Sequence, residues 1–121
     1  MLKKFVKVCF LSLLAVAGCR SEKQPALKME KSGVLLDVRT PEEFHSGALQ
    51  GAVNLPHLRI AEEINSVAPD KNTPLYIYCR SGRRVKIAME TLTQLGYTKL
   101  FDLGGLEDAR AKLELDVVKN D

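Results

Sequence analysis

Four short apolar runs alternate with helical patterns along most of this chain. They read GVLLDVR, AVNLP, LYIYC and TKLFDL, and the first begins at Gly33. Each is the length of a strand, and each is followed by a turn and a segment with helical spacing of its apolar residues. A chain of 121 residues supports one domain. We therefore expect a single α/β domain, with a small parallel sheet of four to five strands and helices on both faces.

Local signals indicate where the helices begin and end. Thr40, Pro41 and Glu43 form a capping-box pattern that starts a short helix. Further helices are predicted over 57–67, over 83–95 and over 106–115. Gly96 ends the helix over 83–95. Gly104 and Gly105 are predicted to follow the fourth strand and to precede the last helix.

The first 18 residues have the features of a secretory signal. Three lysines precede an apolar run that is shorter than the roughly 20 residues of a membrane span. Residues 16–19, VAGC, resemble a bacterial lipobox, which implies lipid attachment at Cys19. The alternatives are an ordinary signal with a chance cysteine and an uncleaved anchor.

The chain then divides into a signal peptide (1–18), a polar tether (19–31) and a folded domain (32–121). This division predicts a protein of the bacterial cell envelope, held by a lipid anchor in a membrane on the periplasmic, extracytoplasmic side.

The charge balance gives no reason to expect a nucleic-acid partner. The whole chain has 18 basic and 15 acidic residues, but three of the lysines and none of the acids lie in the predicted signal. Without that signal the two signs balance, so the basic character belongs to the targeting segment. We expect a monomer.

Cys79 is the one cysteine that remains in the predicted domain, since Cys9 lies in the signal and Cys19 in the lipobox. It ends the third predicted strand, at the sheet edge where parallel α/β proteins place their reactive groups. A thiol becomes a strong nucleophile when it loses its proton, and positive surroundings favour that loss. The alternative is an inert buried thiol.

The turn after Cys79 is suited to an anion. Gly82 permits a tight bend, so several backbone N–H groups at the start of the next helix can point at one position. Arg80, Arg83 and Arg84 add three positive charges. Such a turn could serve sulfur transfer or phosphate chemistry.

The phosphate alternative is a cysteine phosphatase of the tyrosine-phosphatase kind, with the pattern His-Cys-x5-Arg. Here Tyr78 stands in place of the histidine and Val85 in place of the arginine. The loop that closes at Arg84 is one residue shorter, which favours a sulfur atom over a tetrahedral phosphate.

Three motifs in order resemble the rhodanese family of sulfurtransferases. CRSGRR resembles its active-site loop, and LLDVRTPEEFHSGALQGAVNLP resembles its other signature. LGYTKLFDLGG resembles its closing strand and double glycine. The resemblance covers roughly residues 33–111 and implies a rhodanese-like fold for the domain over 32–121.

The resemblance implies a persulfide cycle on Cys79. The sulfur donor would be a small anion such as thiosulfate, and the acceptor would be cyanide, a thiol or a protein. Neither a metal nor an organic cofactor is needed. The substrate-binding residues implied are Arg80, Ser81, Gly82, Arg83 and Arg84, with Arg80 and Arg84 preferred as donors to the oxygens. The alternative from another class is a non-catalytic module that binds sulfur or thiols.

Other polar residues are expected to support the site. Asp37 is predicted to cap backbone amides in the loop after the first strand, and Arg39 to pair with Glu42 or Glu43. His45 and His57 lack partners at metal-ligand spacing. Tyr76 and Tyr78 alternate with Ile77 on one strand and are expected to pack in the core.

Overall fold

The structure is a computed structural model and describes residues 25–120. It contains short strands that alternate with helices, as the apolar pattern predicts. The elements in chain order are β1 (Val34–Asp37), α1 (Pro41–Ser46), β2 (Ala48–Leu49), β3 (Val53–Asn54), a 3-10 turn (His57–Arg59), α2 (Ile60–Val67), β4 (Leu75–Cys79), α3 (Arg83–Gln94), β5 (Leu100–Gly105), α4 (Leu106–Leu113) and β6 (Val117–Val118).

Four of the strands form one parallel sheet in the order β3-β1-β4-β5. Strand β4, which ends in Cys79, is therefore internal, and all five of its residues are buried. The β4–β5 register shifts after Ile77, so that Gly105 lies opposite Cys79. The α/β class and the parallel sheet of four strands are confirmed.

The two faces of the sheet carry separate cores, because successive strand residues point to opposite sides. Leu36 and Ile77 belong to one core with residues of α2 and α3, such as Ile64 and Leu92. The neighbouring strand residues belong to a second core with residues of α4: Leu35, Tyr76, Tyr78, Leu103, Ala109 and Leu113. Helices thus cover both faces, as expected.

The predicted helix signals are confirmed at two ends. Thr40 and Glu43 form a full capping box at the start of α1. Gly96, with a φ of 101°, follows the end of α3 in the left-handed region that glycine adopts easily. The helix predicted over 57–67 begins as a 3-10 turn and becomes α-helical at Ile60.

Two features of the fold differ from the sequence prediction. Gly104 and Gly105 do not follow the fourth strand but are its last two residues. The antiparallel pair of β2 and β6 was not predicted. Each of those strands has two residues, which is too short for an alternating pattern to be visible.

The predicted signal and the lipobox cysteine, Cys19, lie outside the described residues. The part of the predicted tether that is described is mostly exposed. It is held to the domain where the Leu27 N–H donates to the Lys112 carbonyl at 2.7 Å. Among residues 25–120, no helix has the length and apolar character needed to cross a membrane.

Candidate active site

Cys79 lies at the carboxyl edge of the parallel sheet, as its last-in-strand position predicts. It is the free cysteine of the described part of the chain and has 0% exposure. A groove of about 990 Å³ elsewhere on the molecule is lined by residues 25–28, 110–112 and 114–116. No residue of the Cys79 turn lines that groove, so the groove is separate from the Cys79 site.

The turn folds back over the sulfur through Gly82. Gly82 adopts a φ of 96°, in the left-handed region, and α3 begins at the next residue. Its N–H donates to the Cys79 Sγ at 2.9 Å. The sulfur therefore accepts a hydrogen bond next to the positive end of a 12-residue helix. The N–H donor and the helix start thus place partial positive charge beside the sulfur.

The end of β5 supports the turn from the other side. A Cβ atom on Gly105 would lie 2.5 Å from the Arg80 carbonyl oxygen, so only a glycine allows this approach. Ser81 also forms a β-bridge with Gly105. This role of Gly105 was not predicted, because the sequence placed the double glycine after the fourth strand. A glycine next to a strand end is the signal that could have suggested a close backbone approach.

The three arginines of the turn differ in their surroundings. Arg80 and Arg83 are exposed, and within residues 25–120 neither forms an ion pair. Arg84 is half-buried and forms a fork with Glu43, with nitrogen to oxygen distances of 2.9 and 3.2 Å. Of the arginines predicted to hold the donor, Arg80 and Arg83 are therefore open, whereas Arg84 is occupied.

Glu43 is fixed by more than Arg84. Its Oε1 also accepts from the Thr40 backbone N–H at 3.0 Å and from the Thr40 hydroxyl at 3.1 Å. The hydrogen bonds from Arg84, helped by those from Thr40, lower the pKa of Glu43 to about 2 against the opposing effect of burial. The bond to Glu43 in turn raises the pKa of Arg84, and the charge of Cys79 adds to that shift. The pair stays ionised at neutral pH.

The expected pairing of Arg39 with Glu42 or Glu43 is wrong, because Arg39 pairs with Asp37. Its Nε lies 2.9 and 3.0 Å from the two carboxylate oxygens, and a terminal nitrogen lies 2.6 Å from Oδ2. The same nitrogen donates to the Gly47 carbonyl at 2.7 Å. Asp37 also accepts the Arg39 backbone N–H at 2.9 Å, as the predicted amide cap requires. Both side chains are almost fully buried.

Tyr78 belongs to this buried network, which the core-packing expectation did not include. Its hydroxyl donates to Asp37 Oδ2 at 2.7 Å and accepts from the Leu49 N–H at 3.0 Å. Burial raises the pKa of Tyr78 above its ordinary value, so the hydroxyl keeps its proton. Because Tyr78 precedes Cys79, the network fixes the strand that carries the thiol. Asp37 and Tyr78 are register partners in β1 and β4, which sequence alone does not reveal.

Comparison with known proteins agrees with this fold. The family profile of the rhodanese-like domain matches residues 22–112, and the chain belongs to that family. Thiosulfate sulfurtransferase PspE of Escherichia coli is 41% identical over 73 residues, which are 60% of this chain and 70% of that protein. A sulfurtransferase of Allochromatium vinosum is 35% identical over 85 residues, which are 70% of this chain and 78% of that one.

A solved structure gives the same result for the fold. It is described as a rhodanese with anions from E. coli, and it is 36% identical with a TM-score of 0.66. The match covers 73% of this chain and 99% of that one. Other relatives are longer, since the chain spans 61% of one from Schizosaccharomyces pombe and 55% of one from Bacillus subtilis. The rhodanese resemblance of the motifs is confirmed, and the relatives support sulfurtransferase activity in the broad sense.

Proposed function

We propose that this rhodanese-like protein moves sulfane sulfur from a small anionic donor such as thiosulfate to a thiophilic acceptor, through a persulfide on Cys79. The observation that carries the proposal is the hydrogen bond from the Gly82 N–H to Sγ at the start of α3. A site built in this way stabilises negative charge on sulfur, which is the charge that both steps of the transfer require.

In the first step the Cys79 thiolate attacks the outer sulfur of thiosulfate. A bond forms between Sγ and that sulfur, the bond within thiosulfate breaks, and its electron pair leaves with sulfite. Cys79 then carries a persulfide anion, so charge and atoms balance. The exposed Arg80 and Arg83 guanidinium groups are the residues that meet the sulfite oxygens.

In the second step an acceptor removes the outer sulfur. Cyanide or a thiolate attacks that sulfur, the bond to Sγ breaks, and the electron pair returns to Cys79 as thiolate. No metal, external oxidant or organic cofactor takes part, because the two displacements restore the starting enzyme.

Full burial of Cys79 sets a condition on this mechanism. Neither donor nor acceptor reaches Sγ unless the turn over residues 80–83 moves, and this movement breaks the β-bridge between Ser81 and Gly105. In this mechanism the Gly82 N–H leaves Sγ when the incoming sulfur arrives and then donates to the persulfide. The same turn therefore serves both the free thiolate and the persulfide.

The test compares the wild type with Cys79→Ser, a variant of nearly equal side-chain volume. We expect thiosulfate-dependent formation of thiocyanate from cyanide by the wild type only. Intact mass after exposure to thiosulfate should rise by one sulfur atom in the wild type and stay constant in the variant. A wild type with neither turnover nor mass gain would contradict the proposal and leave Cys79 as an inert packing residue.

The same samples test the alternatives. A persulfide that forms without transfer to cyanide or thiols would identify a sulfur-binding module in place of an enzyme. Hydrolysis of an aryl phosphate by the wild type and not by Cys79→Ser would favour the phosphatase.

The location of the protein is part of the proposal. We propose that the lipobox pattern directs lipid attachment to Cys19 and holds the domain on the periplasmic side of a bacterial membrane. Wild-type cells labelled with palmitate should yield a labelled membrane-bound protein, and Cys19→Ser should be unlabelled. Labelling of the Cys19→Ser chain, or none of the wild type, would contradict lipid attachment at Cys19.

A further inference from the structure

The last arginine of the turn is bound by a carboxylate from a distant part of the chain. Glu43 and Arg84 are 41 residues apart, and their fork uses both carboxylate oxygens and both terminal nitrogens. Each side chain is 24% exposed, so the pair is partly shielded from solvent. A bidentate pair of this kind is stronger and more directional than a single surface contact.

Glu43 cannot easily release Arg84, because Thr40, the N-cap residue of α1, also binds the Glu43 carboxylate. The Thr40 N–H and hydroxyl bind Oε1, and the Thr40 hydroxyl in turn accepts the Glu43 N–H at 3.2 Å. Movement of the carboxylate would therefore undo the capping box as well as the ion pair. In contrast, Arg80 and Arg83 point into solvent without ion pairs among residues 25–120.

We infer that Glu43 is a positioning residue that withholds Arg84 from the donor and so sets how strongly the site binds anions. This inference rests on the proposed function only in naming the anion as the sulfur donor. Arg84 stays paired with Glu43, and donor recognition is left to Arg80 and Arg83. By keeping Arg84 paired, Glu43 determines which anions the site prefers, because it lowers the affinity for doubly charged oxyanions. The lower affinity also speeds the release of sulfite.

The test measures anion binding without turnover. Sulfate is titrated by calorimetry into Cys79→Ser protein, alone and combined with Glu43→Gln. We expect Glu43→Gln to tighten sulfate binding by about threefold, since it frees one guanidinium beside the turn. In the reactive protein the same change should lower KM for thiosulfate by a similar factor without a matching rise in kcat.

Two control variants distinguish the positioning of Arg84 by Glu43 from a general effect of removing a negative charge and from an effect on folding. Glu42→Gln removes the neighbouring exposed carboxylate, which contacts none of the turn arginines, and should leave sulfate affinity nearly unchanged. Arg84→Gln should abolish the response, so that Glu43→Gln added to it has no more effect than Glu42→Gln. A purely structural Glu43 would change the free energy of unfolding but not the sulfate affinity.

The inference is overturned if Glu43→Gln binds sulfate no more tightly than Glu42→Gln does, if the gain persists without Arg84, or if no variant binds sulfate. Failure of the proposed function is a separate result, because it would appear as absent turnover and absent persulfide in the wild type. The sulfate titrations would still measure the effect of Glu43 on anion binding.

Discussion

Tyr78 shows how one hydroxyl joins the sulfur-bearing strand to the rest of the site. It donates to the buried Asp37 and accepts from the Leu49 N–H, so it satisfies groups from β1 and β2 at once. A buried carboxylate is tolerated only when its oxygens are paired. Arg39 supplies most of that pairing, and Tyr78 supplies the contact that reaches β4.

We expect Tyr78→Phe to lower the free energy of unfolding by about 1–3 kcal/mol, because it leaves a buried amide without that acceptor and a carboxylate with one donor fewer. Urea denaturation measures the change. Tyr76→Phe is the matched control, since the Tyr76 hydroxyl accepts only a partly buried N–H, that of Glu30, at 3.1 Å. Equal stability of Tyr78→Phe and the wild type would show that the Tyr78 hydroxyl contributes no net stability.

At the scale of elements, the end of β5 and the turn before α3 form one unit. The register shift in β5 brings Gly105 beside Cys79, and the Arg80 carbonyl approaches the space where a side chain would start. The turn is therefore shaped by an element that follows it by more than 20 residues. The position of the turn depends on the absence of a Cβ atom at Gly105. It does not depend on the special backbone freedom of glycine, because Gly105 has an ordinary φ of −82°.

We expect Gly105→Ala to displace the turn and reduce sulfur transfer, with an overpacking cost of about 1–3 kcal/mol in the free energy of unfolding. Turnover and urea denaturation are measured together. Gly51→Ala is the control, since Gly51 has a φ of 86° and no atom within 4 Å of an added Cβ. It should lose stability through backbone strain and keep its turnover. Full turnover in Gly105→Ala would contradict this role for the glycine.

Elements that depend on local signals were the ones that the sequence predicted well. The capping box at Thr40 and the apolar runs of β1 and β4 involve neighbouring residues, so their patterns are visible before folding. Contacts between distant residues were not. Arg39 was expected to pair with Glu42 or Glu43, which are close in sequence. The partner of Glu43 is instead Arg84, 41 residues away, and the two meet only in the folded domain. The open or buried state of Cys79 likewise depends on the whole turn.

At the scale of the molecule, the C-terminal segment packs against the end of α1 and the strand that follows it, β2. Strand β6 pairs with β2, and the Asn120 N–H donates to the His45 carbonyl at 3.1 Å. Leu49, whose N–H contacts Tyr78, lies opposite Val117 in this pair. The chain end thus stabilises the strand that completes the buried network.

We expect a chain that stops after Leu115 to be less stable, because β2 loses its partner and each lost backbone hydrogen bond contributes about 1 kcal/mol. Thermal and urea denaturation measure the loss. A chain that stops after Val118 keeps β6 and serves as the control, with a smaller loss expected. Equal stability of the two truncated chains would show that the β2–β6 pair is dispensable.

The N-terminal segment joins the sheet at the edge opposite Cys79. The Val34 N–H donates to the Pro74 carbonyl just before β4 begins, whereas Cys79 ends that strand. Five residues separate the two edges by about 16 Å, at roughly 3.3 Å per residue. With the lipid attachment proposed at Cys19, this geometry would place the thiol on the side of the domain that faces away from the bilayer. A bulky soluble acceptor could then collect sulfur without having to approach the membrane.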